Sequence, residues 1–437
     1  VVRKTLDELG FLELETPFLI RSTPEGARDY VVPSRVNHGS FFALPQSPQL
    51  FKQLFMVSGF DRYFQIVRCF RDEDLRAERQ PEFTQVDVEM SFCSEEDVQG
   101  IMEQVVARVW KELKGLTLTP PFQRISYDEA ISRFGVDAPD LRYGLELKDL
   151  TELVKTSELK VFQDALARQG VVKAINLSGV GELSRKDLDE LGEFVKIYGA
   201  KGLAWVRMKE DRSWQAPIAK FFSAELQASL NQRLEMQPGD VAVFVADKPQ
   251  VVHAALGNLR KHVARQRGLL PKDTFRFCWV TDFPLFEWDE ENRRLNSAHH
   301  PFTSTRFSDR NKLKDDPLAV KASAYDLVLN GVEVGGGSIR IHDSVLQSEV
   351  FSTLGITEEQ AQEKFGFLLS ALQYGAPPHG GIALGVDRLM MLLCGTDSIR
   401  DVIAFPKTQK QLDLMLNAPA PLDAAQLAEL AIRTVTD

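Results

Sequence analysis

The sequence predicts an α+β fold, a largely antiparallel sheet flanked by helices, together with a second α/β domain. Three stretches carry that reading. Residues 62–92, RYFQIVRCFRDEDLRAERQPEFTQVDVEMSF, alternate twice. Gln65, Val67, Cys69 and Arg71 oppose Phe64, Ile66, Arg68 and Phe70, and Gln85, Asp87 and Glu89 oppose Val86, Val88 and Met90, as two strands joined by a charged loop would. Residues 325–341, YDLVLNGVEVGGGSIRI, set Asn330-Gly331, the preferred centre of a two-residue hairpin turn, between apolar runs. Residues 380–393, GGIALGVDRLMMLL, read as a Gly-punctuated strand entering an apolar helix. Residues 142–271 differ in character, alternating helices with short strands such as VVKAINLSG, GLAWVRM and VAVFVA, which marks a second α/β domain. The expected segments are 1–141, 142–271 and 272–437.

The remaining elements follow in order. Residues 1–9 form an amphipathic helix stopped at Gly10, and the strand-like FLELETPFL comes next with Pro17 near its end. Thr23 to Asp29 combine Pro, Gly and three charges, which suits a loop. Ser47 as N-cap and Pro48 in the first turn start a helix with Leu50, Phe51, Leu54 and Phe55 as its buried stripe, leaving Gln49 and Lys52 together on another face. A helix runs over 95–113 to Gly115, and Pro120-Pro121 marks a connection. Near the end of the second domain LRKHVARQRG carries Arg260, Lys261, Arg265 and Arg267, a solvated helix face first and an RNA contact second. RFCWVTDFPLFEW is strand-like, and the His299-His300 pair after it lacks the further Cys or His that a zinc site needs.

Composition bounds the chemistry. A chain of 437 residues has room for two or three domains, and its formal net charge of −10 argues against a general nucleic-acid coat, so RNA would have to be met by a local basic patch. Four cysteines without a C-x-x-C pair suit a reducing cytoplasm. There is no 18-residue apolar run and no signal peptide, so no membrane partner is expected. The chain opens without Met in a helix-like segment, as a truncated piece would.

Three groups of residues carry candidate chemistry. The polar row Gln85, Asp87 and Glu89 is costly to bury unless partnered, so it belongs either to a solvated hairpin face or to the floor of a site. Arg71, Arg76 and Arg79 can clamp phosphate oxygens in a fixed fork, and Phe83 offers a flat ring to a base or a guanidinium. Strand parity about the Asn330-Gly331 turn puts Asp326 and Glu333 on one face as diagonal neighbours, a pair that either sits on a solvated surface or shares a cation such as Mg²⁺. Gly335, Gly336 and Gly337 would let a ligand approach the backbone closely.

Arg71-Asp72-Glu73, Arg79-x-x-x-Phe83 and Asp87 resemble motif 2 of the class II aminoacyl-tRNA synthetases, and RDEDLRAERQPEFTQVD is similar to the bacterial-type aspartyl members. Residues 10–18 resemble motif 1, whose Pro (here Pro17) lies at a dimer interface, and GVDRLMMLL resembles motif 3. Asp387 stands where many class II enzymes carry Glu, as aspartyl members do. The resemblance implies aspartate contacts from Glu25, Gln49, Lys52, Arg71, Asp87, His299 and Arg340. Glu25, Gln49 and Asp87 would meet the ammonium, while Lys52 and Arg340 would hold the side-chain carboxylate. It implies an ATP site of Arg71, Asp72, Glu73, Gln80, Phe83, Glu333, Gly385, Val386, Asp387 and Arg388, with Mg²⁺ on Asp326 and Glu333 and adenine between Phe83 and Arg388. Arg71 and Arg388 would be catalytic. The implied activity is ATP-dependent activation of L-aspartate and transfer to the aspartate tRNA, with the asparagine tRNA open as a second acceptor, in a cytoplasmic homodimer. The family's N-terminal anticodon-reading barrel has no counterpart in these residues. A non-catalytic paralogue and an asparagine-forming or asparaginyl-ligating relative are the alternatives, and Lys52 with Arg340 favours a carboxylate substrate over an amide.

Overall fold

Both halves of the 62–92 stretch are strands. In the computed structural model, which describes residues 1–22, 27–75, 77–178 and 182–435, Arg62–Phe70 pairs antiparallel with Glu82–Ser91, setting Gln65 against Asp87 and Tyr63 against Glu89. The chain divides into two units, residues 1–122, 281–327 and 333–437 in the first and 123–280 with 328–332 in the second.

In the first unit six strands neighbour one another in the order Leu12–Glu13, Arg62–Phe70, Glu82–Ser91, His379–Gly385, Val332–Ile339, Ala324–Leu329. The short first strand runs parallel to its neighbour, and the pairings of Glu82–Ser91 with Arg62–Phe70 and His379–Gly385, and of His379–Gly385 with Val332–Ile339, are antiparallel. FLELETPFL forms a strand only at Leu12–Glu13; Pro17, without an N–H, cannot extend a ladder. RFCWVTDFPLFEW is likewise two strands, Phe277–Thr281 and Phe286–Asp289, broken where Asp282 takes a φ of 59° before Pro284.

Helices pack against this sheet. Glu95–Lys114 begins with a capping box, Ser94 accepting from the Asp97 N–H while Asp97 reaches back to the Ser94 N–H, and it ends where Gly115 adopts a φ of 67°. Val98, Met102, Val105, Val109 and Trp110 recur at helical spacing and are all buried. The second helix is Gln49–Val57, one residue later than a Ser47 cap would start it. Pro48 is its N-cap, because the Pro48 carbonyl accepts the first helical bond, from the Lys52 N–H at 3.0 Å. Its polar face is the buried one: Gln49, Lys52 and Gln53 are buried, whereas Phe51, Leu54 and Phe55 are half-buried. Leu50 joins Phe302, Phe351 and Phe365 in an apolar cluster, with the rings of Phe351 and Phe365 stacked 5.6 Å apart. Among the described residues no helix is long and apolar enough to cross a membrane.

The second unit alternates helices and strands along the chain, and the sheet they build is antiparallel: Trp214–Gln215, Ala204–Met208, Val241–Asp247, Val171–Asn176, Leu147–Asp149. Arg260, on the helix Pro249–Gln266, is no RNA contact. It is fully buried, donates to the carbonyls of Asp140, Tyr143 and Gly144, and packs over the rings of Phe134 and Tyr143. The Asn330-Gly331 turn has both residues at positive φ, 54° and 82°, as a tight hairpin turn of this kind requires.

Candidate active site

The polar row of residues 85–89 is buried, and it is partnered by two cations that no local pattern links to it. Asp87 and Glu89 are fully buried on the central strand. From the neighbouring helix Lys52 Nζ donates to Asp87 Oδ1 at 2.7 Å and lies 3.2 Å from Glu89 Oε2. From the hairpin's return strand Arg340 grips Glu89 through two bonds, Nε to Oε1 at 2.9 Å and Nη2 to Oε2 at 3.1 Å, and it donates to Ser338 Oγ at 2.7 Å. Burial pushes the Glu89 carboxyl up, but the Arg340 and Lys52 charges more than offset this and hold it at about 2. For Asp87 burial wins over Lys52 and the carboxyl is raised. Asp87 Oδ2 is buried and has no hydrogen-bond partner among the described residues.

This network needs a floor without side chains. A Cβ on Gly381 would sit 2.0 Å from Glu89 Oε2 and 2.1 Å from the Val88 carbonyl, and one on Gly337 would sit 2.1 Å from the Gly381 carbonyl. Neither position accepts a methyl group. Gly336 serves the acidic pair in the same way, since its Cβ would lie 2.7 Å from Asp326 Oδ1 and 3.5 Å from Glu333 Oε1. Asp326 and Glu333 therefore converge over Gly336.

Arginines gather beside these carboxylates. Arg71 lies over the Phe83 ring, 5.1 Å from its centroid, and its Nε is buried without a partner among the described residues. Arg388 donates to the Glu333 carbonyl at 2.7 Å and lies 3.6 Å from the Glu333 carboxylate. Arg79 pairs with Glu73. Asp387 Oδ2 accepts from the Thr84 N–H at 2.8 Å, tying the helix Val386–Cys394 to the central strand. Gln80 is buried, its amide paired with both the N–H and the carbonyl of Lys407 at 2.7 and 3.2 Å.

A cavity of about 290 Å³ joins the two groups. Of the residues expected from sequence, Gln49, Lys52, Arg71, Glu73, Gln80, Phe83, Asp87, Glu333, Arg340, Gly385, Asp387 and Arg388 line it. Asp72, Asp326, Val386 and His299 do not: Asp72 faces Arg28 at 3.4 Å, and the exposed His299 packs edge-on against Phe283. Glu25 and Arg76 lie outside the described residues. Sequence reasoning passed over Leu75, Glu78, Ala383 and Ile399, which also line the cavity, and the role of Glu89 as the pivot between two cations. His300, next to His299, likewise does not line the cavity, and its imidazole is pushed down to about 3 by burial and by the nearby Arg340 and Lys52 charges. Adjacent histidines carry no signal that separates them.

The lowered Glu89 carboxyl sets a pH test. A carboxylate held below its ordinary 4.5 stabilises the fold fully above that pH and less as pH falls toward about 2. The stability deficit of Glu89→Gln against the parent chain is therefore expected to be complete at neutral pH and to shrink by on the order of 1 kcal/mol at about pH 3.5. Urea denaturation of both proteins at the two pH values measures it, and an unchanged deficit would show that Glu89 is not held ionised.

Residues 1–409 match the family of class II tRNA synthetases (D, K and N). The chain is 60% identical over 435 residues to an aspartate–tRNA(Asp/Asn) ligase of Geotalea uraniireducens, covering 100% of this chain and 73% of that protein. A relative of the same name from Desulfatibacillum aliphaticivorans is 58% identical over 436 residues, again 100% and 73% of the two chains. One from Persephonella marina is 55% identical, over 98% of this chain and 72% of its own. With a family match over residues 1–409 and relatives 55–60% identical over nearly its whole length, the chain belongs to the class II tRNA synthetases.

Proposed function

We propose that the chain is an aspartate–tRNA ligase that activates L-aspartate with ATP and transfers it to the aspartate tRNA. The observation that carries this reading is the convergence of Lys52 and Arg340 beside the unpartnered Asp87 oxygen, at one end of a cavity whose other end holds Arg71 and Arg388. Two fixed cations suit a side-chain carboxylate, and a free buried carboxylate oxygen suits an ammonium group. Gln49 and Glu25 join Asp87 at the ammonium, and His299 approaches the bound substrates. The relatives' name supports the substrate and adds the asparagine tRNA as a second acceptor.

The α-carboxylate of aspartate is ionised at neutral pH, so it attacks the α-phosphorus of ATP without a general base. A P–O bond to the carboxylate forms, the bond to pyrophosphate breaks, and aspartyl-adenylate results. A ribose hydroxyl of the 3′-terminal adenosine then attacks the activated carbonyl and AMP departs. The protein's task is in-line positioning and charge neutralisation. Arg71 meets the α-phosphate, Arg388 meets the γ-phosphate and closes on the adenine against Phe83, and Glu73 and Gln80 frame the nucleotide with Asp72 behind them. Gly385, Val386 and Asp387 carry Arg388 into place. Asp326 and Glu333 would hold Mg²⁺: their carboxylates converge over Gly336 and are the hard oxygen donors that ion takes. When bound, the ion neutralises phosphate charge. Residues 142–271 form the inserted domain of the bacterial aspartyl type, and Pro17 belongs to a homodimer interface.

Aspartate-dependent exchange of pyrophosphate into ATP, without tRNA, tests the reading. Exchange with aspartate, exceeding that with asparagine by about 10⁴-fold, is expected. Equal use of asparagine would favour an asparaginyl ligase, and no exchange by a folded chain that binds ATP would favour a non-catalytic paralogue.

A further inference from the structure

Seven residues near the C-terminus grip both ends of the loop between the two central strands. At the far end the Lys407 backbone pairs with the Gln80 amide, and Lys407 Nζ donates to Glu82 at 2.9 Å and to Asp413 at 3.3 Å. At the near end Gln411 Nε2 donates to Asp72 Oδ1 at 3.4 Å and to the Glu73 carbonyl at 3.3 Å, while its Oε1 accepts from the Tyr30 hydroxyl at 2.7 Å. The backbone is bent to present this side chain. Gln411 has a φ of 59°, a conformation unfavourable for a residue with a Cβ, at the end of a turn closed by its N–H on the Thr408 carbonyl at 2.9 Å. The same corner is braced by the Asp72 N–H on the Arg28 carbonyl at 3.0 Å and by the Arg28–Asp72 ion pair.

We infer that Gln411 is a positioning residue for the nucleotide half of the site, holding Asp72 and Glu73, and through them Arg71, in register with the Arg28–Tyr30 segment. It touches none of the cavity residues' reacting groups. Asp72, which does not line the cavity, is the intermediary, and Arg71 and Glu73 on either side of it both do. The aspartate half stands apart: Lys52, Asp87, Glu89 and Arg340 are bonded to one another and not to Gln411. Loss of Gln411 should therefore act on one substrate and spare the other. This inference rests on the reading of the site given above.

The test is the pyrophosphate-exchange kinetics of Gln411→Ala and Tyr30→Phe in the full chain. Gln411→Ala is expected to raise KM for ATP by about 3- to 10-fold, the effect of one lost neutral hydrogen bond, with KM for aspartate and kcat changed less than about twofold. Tyr30→Phe, which removes one hydroxyl, is expected to change KM for ATP in the same direction and by less. Equal rises in both KM values, or a fall in kcat alone, would overturn the inference, because a merely structural role moves both substrates together. Hydrogen exchange at the Asp72 and Glu73 amides, read without substrates, is expected to speed up in Gln411→Ala, and unchanged exchange there would also overturn it. If the parent chain shows no aspartate-dependent exchange, the functional reading fails while the amide measurement still decides the positioning role.

Discussion

Arg340→Leu is expected to abolish aspartate-dependent pyrophosphate exchange while leaving ATP affinity within about twofold of the parent. Arg340 lines the cavity beside Lys52 and Asp87, bonded to Glu89 and Ser338. A leucine there removes the planar fork that would take a side-chain carboxylate and leaves Glu89, fully buried, with Lys52 as its remaining ion-pair partner. Breaking a buried pair from one side costs about 3–5 kcal/mol, so the variant is also expected to melt earlier. Arg340→Lys separates the two effects. It keeps the charge and should recover part of the stability, yet a point charge cannot reproduce the two bonds to Glu89 that fix the side chain in place, so aspartate use stays low. Isothermal titration with a non-hydrolysable ATP analogue, beside the exchange assay, measures both. Normal aspartate use by Arg340→Leu would sink the assignment of this residue to the side chain.

Arg71→Lys is expected to lower the exchange rate by about 10²–10³-fold with little loss of stability, the size seen when one preorganised donor to a developing charge is removed. The physical case is the unpartnered, buried Nε and the seat of the guanidinium over Phe83. Lysine has no planar group to lie on that ring and no fork to span two phosphate oxygens. Stopped-flow measurement of adenylate formation at saturating ATP checks it. A rate within tenfold of the parent would mean that Arg71 binds the ring and not the phosphate.

The parts of this molecule legible in sequence are those whose signal is local. The period-two alternation of residues 62–70 and 82–91, the helix from residue 95 stopped at Gly115 and the Asn330-Gly331 turn each depend on near neighbours, and each forms as its pattern dictates. The helix at residue 49 shows where such reading stops. Its apolar residues suggested the buried stripe, of which Leu50 is buried but Phe51, Leu54 and Phe55 only half-buried, while Lys52 is buried with its ammonium on Asp87, 35 positions away. Arg260 failed the same way: in a run of basic residues it looks solvated, and only the fold reveals three carbonyls and two rings around it. The glycines of the site could be noted as permissive, yet the carboxylate that makes Gly381 obligatory belongs to another strand.

That glycine floor bears on how the site could ever be given a new substrate. Lys52, Asp87, Glu89 and Arg340 form two cations and two anions enclosed over a backbone that admits no methyl at Gly381 or Gly337. Any single charge reversal leaves an ion stranded in a low-dielectric interior. Single-residue libraries across this pocket should return mostly unfolded chains, while selectable changes in amino-acid preference should emerge only where several of the four charged positions vary together above unaltered glycines.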